Sequence, residues 1–316
     1  MAKQPSKVVS IPRKKDTKLI EASAAIMGSP PEGDDIAFLH STFCQVGLPR
    51  SKPKGSVFER RSGNAAIRLE AGTLWDGHEY VQQCLPYGTK PRLLLLHLIR
   101  SYLRTGDRTI ELGDSVRDFL ENTLNVRASG GQRGGMTGFR EQIKAFAACR
   151  MVIGYNMPSG AVRTRPAERL VEEFEAWPES DGRGQRSLFP SSITISPDFA
   201  ASIQKASVPL DARAIQAIQD SALALDLYAW LAHRLWRLEK STLLHWASLR
   251  EQFGQEIADP RNFKRNFTKA MRDVLAVYPH AKVEDVFGGI RIAPSAPPVS
   301  QTNIVVPASF GKPRLR

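Results

Sequence analysis

Only three cysteines, Cys44, Cys84 and Cys149, occur in 316 residues. They stand too far apart for a zinc knuckle or a CxxC redox pair. An odd, sparse count does not build a disulfide-stapled secreted domain, so three reduced thiols are the expectation. Long apolar runs are missing as well: Leu93 to Leu96, like every other run, falls far short of the roughly 20 residues of a membrane span. The cationic N-terminus (Lys3, Lys7, Arg13, Lys14, Lys15, Lys18) has no apolar core of a signal peptide behind it. These absences lead to the expectation of a cytoplasmic protein with no membrane partner.

The patterns that carry catalysis are also absent. There is no GxxxxGK[ST] phosphate loop, and Gly130-Gly131 and Gly134-Gly135 follow no apolar strand as a dinucleotide fingerprint would. The six histidines (His40, His78, His97, His233, His245, His280) are scattered, with no two at metal-ligand spacing. Asp34-Asp35 and Glu284-Asp285 sit in loop-like or wing-like segments, and no GxSxG elbow is present. The expectation is a protein that is not an enzyme, with no metal and no cofactor.

Negative charge is scarce. Lys and Arg number 44 against 32 Asp and Glu, a formal net charge of +12 and a pI near 9.8. That balance favours polyanionic partners, whether DNA, RNA or an anionic membrane surface, without choosing among them. Apolar residues at 42% and charged residues at 24% are ordinary for a soluble chain, and the length suits two domains.

The order of elements predicts an α+β fold, mostly helical, of two tandem winged-helix (helix-turn-helix) domains. Residues 1–40 read as a flexible basic arm, 41–205 as the first domain, 206–295 as the second and 296–316 as a flexible tail. In the first domain, strand-like runs at 66–70 and 80–85 precede a helix opening at Pro91. A short strand at 109–112 follows, then a helix capped by Asp114, a glycine-rich connection over 129–135 and a helix over 137–150. Residues 155–190, rich in Pro and Gly, read as loop or wing, with a returning strand at 193–195 and a short helix from Asp198.

The pattern then repeats in element order, not in residue identity. Asp211 caps a helix through Ile218, and a long apolar helix covers 221–238. A strand at 242–246, a short helix at 248–253 and a helix capped by Asp259 and opened by Pro260 come next. Residues 282–292 alternate around Gly288-Gly289 as a hairpin, the wing.

The helix from Pro260 carries the sharpest pattern. At 3.6 residues per turn, Phe263, Phe267, Ala270, Met271, Val274 and Tyr278 share one face. Arg261, Arg265, Thr268, Lys269 and Arg272 share the opposite face, with Lys264 at its edge. Arginine pairs bidentately with guanine, lysine neutralises phosphate, and a helix fits the major groove. A solvated basic face is the bland alternative; the helix's third place in a helix-turn-helix order favours the groove. In the first domain, Phe139, Ile143 and Phe146 make the core stripe of the equivalent helix. Arg140, Lys144 and the loop residue Arg133 are its DNA-contact candidates, although Glu141 shares the face and a protein interface remains open.

Four strings resemble the plasmid-encoded RepA replication initiators: residues 47–53 (GLPRSKP), 85–92 (LPYGTKPR), 222–231 (ALALDLYAWL) and 263–267 (FKRNF). They occur in order, and the resemblance covers about residues 40 to 295. The resemblance implies an initiator of theta-type plasmid replication that binds repeated origin sequences (iterons) in double-stranded DNA. It also implies recruitment of the host replication initiator and helicase, and a monomer/homodimer equilibrium. A tandem winged-helix transcription repressor would present the same chemistry to DNA. A nickase or primase needs the metal-site and nucleophile patterns that are absent.

Overall fold

The computed structural model describes residues 14–113, 115–131, 134–156, 159–180 and 186–300. The fold is mixed α/β, with helices packed among small open antiparallel sheets. The chain opens with α1 (Lys14–Gly28), β1 (Ile36–His40) and α2 (Ser41–Gln45). Strands β2 (Val57–Ser62) and β3 (Ala65–Glu70) precede a small hairpin, β4 (Thr73–Trp75) and β5 (Tyr80–Gln82). Then come α3 (Lys90–Thr105), β6 (Thr109–Glu111), α4 (Val116–Asp118) with a π turn over Phe119–Thr123, and α5 (Gly135–Ala148).

Four strands follow: β7 (Arg150–Asn156), β8 (Val162–Arg169), β9 (Val171–Ser180) and β10 (Arg186–Ile195). The remainder is α6 (Pro197–Ala206), β11 (Ser207–Asp211), α7 (Ala212–Ile218), α8 (Ala222–Arg234), β12 (Thr242–His245), α9 (Trp246–Phe253), α10 (Pro260–Val277), β13 (Val283–Val286) and β14 (Gly289–Ile292).

Local chemistry explains most of these boundaries. Pro91 sits in the first turn of α3, where its missing N–H has no helical partner to lose. Gly106 ends that helix at φ +77°, a left-handed conformation that glycine adopts without strain. Asp211 and Ser221 cap α7 and α8 by accepting from the backbone N–H groups of Arg213 and Ala224. Asp114 lies outside the described residues; Ser115 is the N-cap of α4, its Oγ accepting from Asp118 N at 3.1 Å.

Three expectations need correction. Part of the expected arm is structured. α1 has Leu19, Ala22 and Ile26 on one stripe and packs on α7 and α10, with Leu19 buried. β1 pairs antiparallel with β11, Ile36 opposite Asp211, so the expected arm is stitched to the chain beyond residue 206. Residues 155–190 are mainly strand. β7 and β8 extend a sheet of order β2-β3-β7-β8, and β9 joins a sheet of order β6-β10-β9. The prolines that suggested loop are tolerated because Pro166 and Pro178 lie on edge strands and Pro190 lies at a register shift. At the far end, Tyr278 donates to Ala296 O at 2.8 Å and Val299 is buried, so the tail is anchored to residue 299. Residues 301–316 and 1–13 lie outside the described residues.

One apolar core runs through both halves. It includes Leu94, Leu98 and Ile99 of α3, Phe139 and Ile143 of α5, Leu227 and Tyr228 of α8, and Phe263 and Phe267 of α10. Among the described residues, no helix is long and apolar enough to cross a membrane, and no cluster of His, Cys, Asp and Glu could hold a metal ion. All three cysteines are free thiols.

Candidate nucleic-acid interface

The site is built outward from the α10 core. Asp259 accepts from Arg261 N at 2.9 Å and Pro260 fills the first turn, which fixes where the helix begins. Phe263, Phe267, Ala270, Met271, Val274 and Val277 are buried, and α10 packs on α8, α7, α1 and α9. Tyr278, expected to end the stripe, is buried just past the helix as its C-cap.

Burial of that stripe forces the opposite face outward. Arg261, Lys264, Arg265, Lys269 and Arg272 are exposed, and Thr268 is half-buried among them. Among the described residues none of the five cations pairs with a carboxylate, so their charge is available to an anionic ligand. Lys264 lies over the Trp246 ring, with Nζ 4.9 Å from the ring centroid.

A three-stranded sheet of order β12-β14-β13 reaches this helix through Trp246, whose ring packs on Phe267. Gly288, at φ +84°, turns the β13–β14 hairpin, and its carbonyl accepts from Trp246 N at 3.1 Å. Helix, tryptophan and hairpin therefore form one unit.

In the first half, α5 buries Phe139, Ile143 and Phe146 as expected. Arg140 and Lys144, however, are half-buried. The β4–β5 hairpin packs against α5, and burial, followed by the nearby Arg140 charge, lowers the Lys144 pKa. The face carrying these two cations is thus shared with the hairpin. Arg133 lies outside the described residues. Of the described first-half candidates, Arg140 and Lys144 lie on α5, which does not pack on α10.

Sequence reasoning missed a buried ionic cluster beneath α10. Asp226 of α8 accepts from Arg92 Nε at 2.7 Å and from Arg50 Nε at 2.9 Å. Glu256, between α9 and α10, accepts from Arg50 N at 2.8 Å, from Ser51 N at 3.1 Å and from Arg60 Nη2. Burial opposes ionisation of both acids, but the Arg92 and Arg50 charges at Asp226 and the Arg60 charge at Glu256 outweigh it and hold both pKa values low. Burial, with repulsion from Arg50, pulls Arg60 down to about 10. All five residues lie more than a hundred positions from a partner, so no local spacing announced them. The cluster binds the loop and strands of the first half to the helices that carry α10.

Solved structures similar to this chain include two of RctB. A crystal structure of RctB domains 2-3 shares 14% identity, covering 79% of this chain and 94% of that one, at TM-score 0.47. A selenomethionine derivative of RctB domains 2 and 3 shares 12% identity, covering 82% and 99%, at TM-score 0.49. No curated relative matches the sequence. The sequence profile of the plasmid-encoded RepA protein matches residues 85–247, from the approach to α3 through the first turn of α9. That segment holds Arg92 and Asp226 and just over half of the chain, while α10 lies beyond it. The chain therefore belongs to the plasmid-encoded RepA family of replication initiators.

Proposed function

We propose that the protein initiates plasmid replication by binding repeated sequences (iterons) in double-stranded origin DNA, opening the origin and recruiting host replication proteins. Family membership supports the initiator role. The observation that carries DNA binding is the exposed row Arg261, Arg265, Lys269 and Arg272 on α10, set opposite a fully buried stripe and beside a small sheet. The order α8, β12, α9, α10, β13, β14, with β12 and β13 both paired to β14, supports reading this half as a winged helix with α10 as the groove-entering helix. The order α3, β6, α4, α5 with the β9–β10 hairpin paired to β6 supports a second winged helix in the first half.

In this reading the arginines of α10 read base edges and Lys269 and Lys264 neutralise phosphates. Binding at several adjacent sites distorts the neighbouring A·T-rich DNA, and the host initiator and helicase load there. The protein acts in the cytoplasm, passes between monomer and homodimer, and performs no catalysis of its own.

A footprint of the purified protein on DNA flanking its own gene, at two salt concentrations, tests this. Protection of several direct repeats, weakening steeply with salt, is the expected result. A single inverted repeat at a promoter would point instead to a transcription repressor. No protection at either salt would overturn the DNA-binding reading.

A further inference from the structure

Phe287 stands at the tip of the β13–β14 hairpin with its side chain wholly exposed, more open than any other large apolar side chain among the described residues. Nothing inside the fold uses this ring. The backbone beneath it is nevertheless tightly fixed. Gly288 holds the left-handed turn and accepts from Trp246 N at 3.1 Å. Gly289 lies so close to β12 that a Cβ there would stand 2.0 Å from Leu244 O. The Trp246 ring packs against Phe267 at 5.6 Å and carries Lys264 Nζ at 4.9 Å. One tryptophan thus ties the exposed phenyl ring to the helix that displays the cations.

The charges around the tip narrow what the ring can meet. Glu284 is paired with Arg291 at 3.4 Å, and Asp285 is exposed on β13. The tip itself presents an apolar ring and no cation, so it suits sugar faces and base planes better than phosphates. When a helix occupies the major groove, a hairpin fixed at its flank reaches the adjacent minor groove. Proteins that work there insert apolar side chains such as Phe between base steps and kink the duplex.

We propose that Phe287 is a wedge that enters the minor groove next to the segment held by α10 and partly unstacks one base step. The proposal rests on the DNA-binding reading of α10 and adds a second contact to it. Flexible pyrimidine–purine steps would be favoured at that position without any hydrogen bond to the bases.

The test uses the full chain and a duplex of the footprinted sequence carrying 2-aminopurine at successive steps flanking the protected segment. Wild-type protein is expected to raise fluorescence at one step. Phe287→Ala is expected to abolish that rise and weaken binding on the order of tenfold, with an unchanged Tm, and Phe287→Leu to restore part of both. Unchanged affinity and fluorescence in Phe287→Ala would overturn the wedge and assign the ring to a protein contact. Arg265→Ala separates the two readings. If it loses affinity while Phe287→Ala does not, only the wedge falls. If Phe287→Ala alone loses affinity and unstacking, the wedge stands and α10 is not the reader. A wild-type protein that protects no DNA removes both.

Discussion

Arg92 of α3 and Asp226 of α8 meet in a bidentate pair: Nε donates to Oδ1 at 2.7 Å and Nη2 donates to Oδ2 at 2.9 Å. The pair is buried and joins residues 134 positions apart. Arg92 also donates to the carbonyls of Leu48, Pro49 and Gly88. Removing the acid would leave Arg50, Arg60 and Arg92 facing one another with only Glu256 as counter-charge. Asp226→Ala is expected to cost about 3–5 kcal/mol of folding stability. Urea unfolding measures it, and an unshifted midpoint would show that the cluster carries no stability.

Gly47 is closed to any larger residue by the same acid. A Cβ at this position would lie 2.6–2.8 Å from the Asp226 carboxylate. Gly47→Ala is expected to destabilise by about 1–3 kcal/mol. In an Asp226→Ala background the penalty should shrink, because the crowding group is gone. A double-mutant cycle reads this coupling, and strict additivity would contradict it.

Acid sensitivity should appear well above the carboxylate range. Burial, and then nearby arginines, lower His97 to about 4 and His233 to about 3. Both imidazoles therefore take up protons more readily in the unfolded chain, whose pKa is near 6.5. Stability is complete above that value and falls as pH drops through 6.5 toward 4. With allowance for partial exposure, each should cost about 1 kcal/mol between pH 6.5 and 5. Thermal melts across this window test the slope, and His233→Gln should flatten it.

On DNA, Arg265→Ala is expected to weaken specific binding by about 1–3 kcal/mol and to relax sequence preference. Lys269→Ala should weaken all sequences alike and reduce the salt slope by about one. Lys144→Ala should lose less than Arg265→Ala, since the β4–β5 hairpin shares its face. Titrations at several salt concentrations separate these three outcomes.

What could be read directly from the sequence was local. Asp259, Pro260 and the 3.6-residue apolar stripe identified α10 before any coordinate did, and the Gly288-Gly289 pair identified the hairpin. α1 was hidden because its stripe is short and its surroundings are basic and polar, and tertiary burial of Leu19 overrode that impression. The strands β8 and β9 were hidden by their prolines, which edge positions accept. Arg60 left no local signal, and no expectation covered β2. An arginine inside a weakly patterned strand reads as exposed, yet it is fully buried because Glu256, 196 positions later, supplies its counter-charge. Spacing along a chain reports what one helix or strand does alone. It is silent on charges that meet only after the fold has closed.

The β1–β11 pairing also sets a schedule. β1 is made early, but its only strand partner among the described residues, at 207–211, is made about 170 residues later. At ordinary synthesis rates that interval is on the order of 10–30 s. Throughout it, the hydrogen-bonding edge of β1 waits for its strand, although α2 and α3 can already pack on its apolar side chains. Each ribosome thus displays an unpaired strand well before it can be covered. Until β11 arrives, that open edge is accessible to chaperones and to neighbouring nascent copies on the same message.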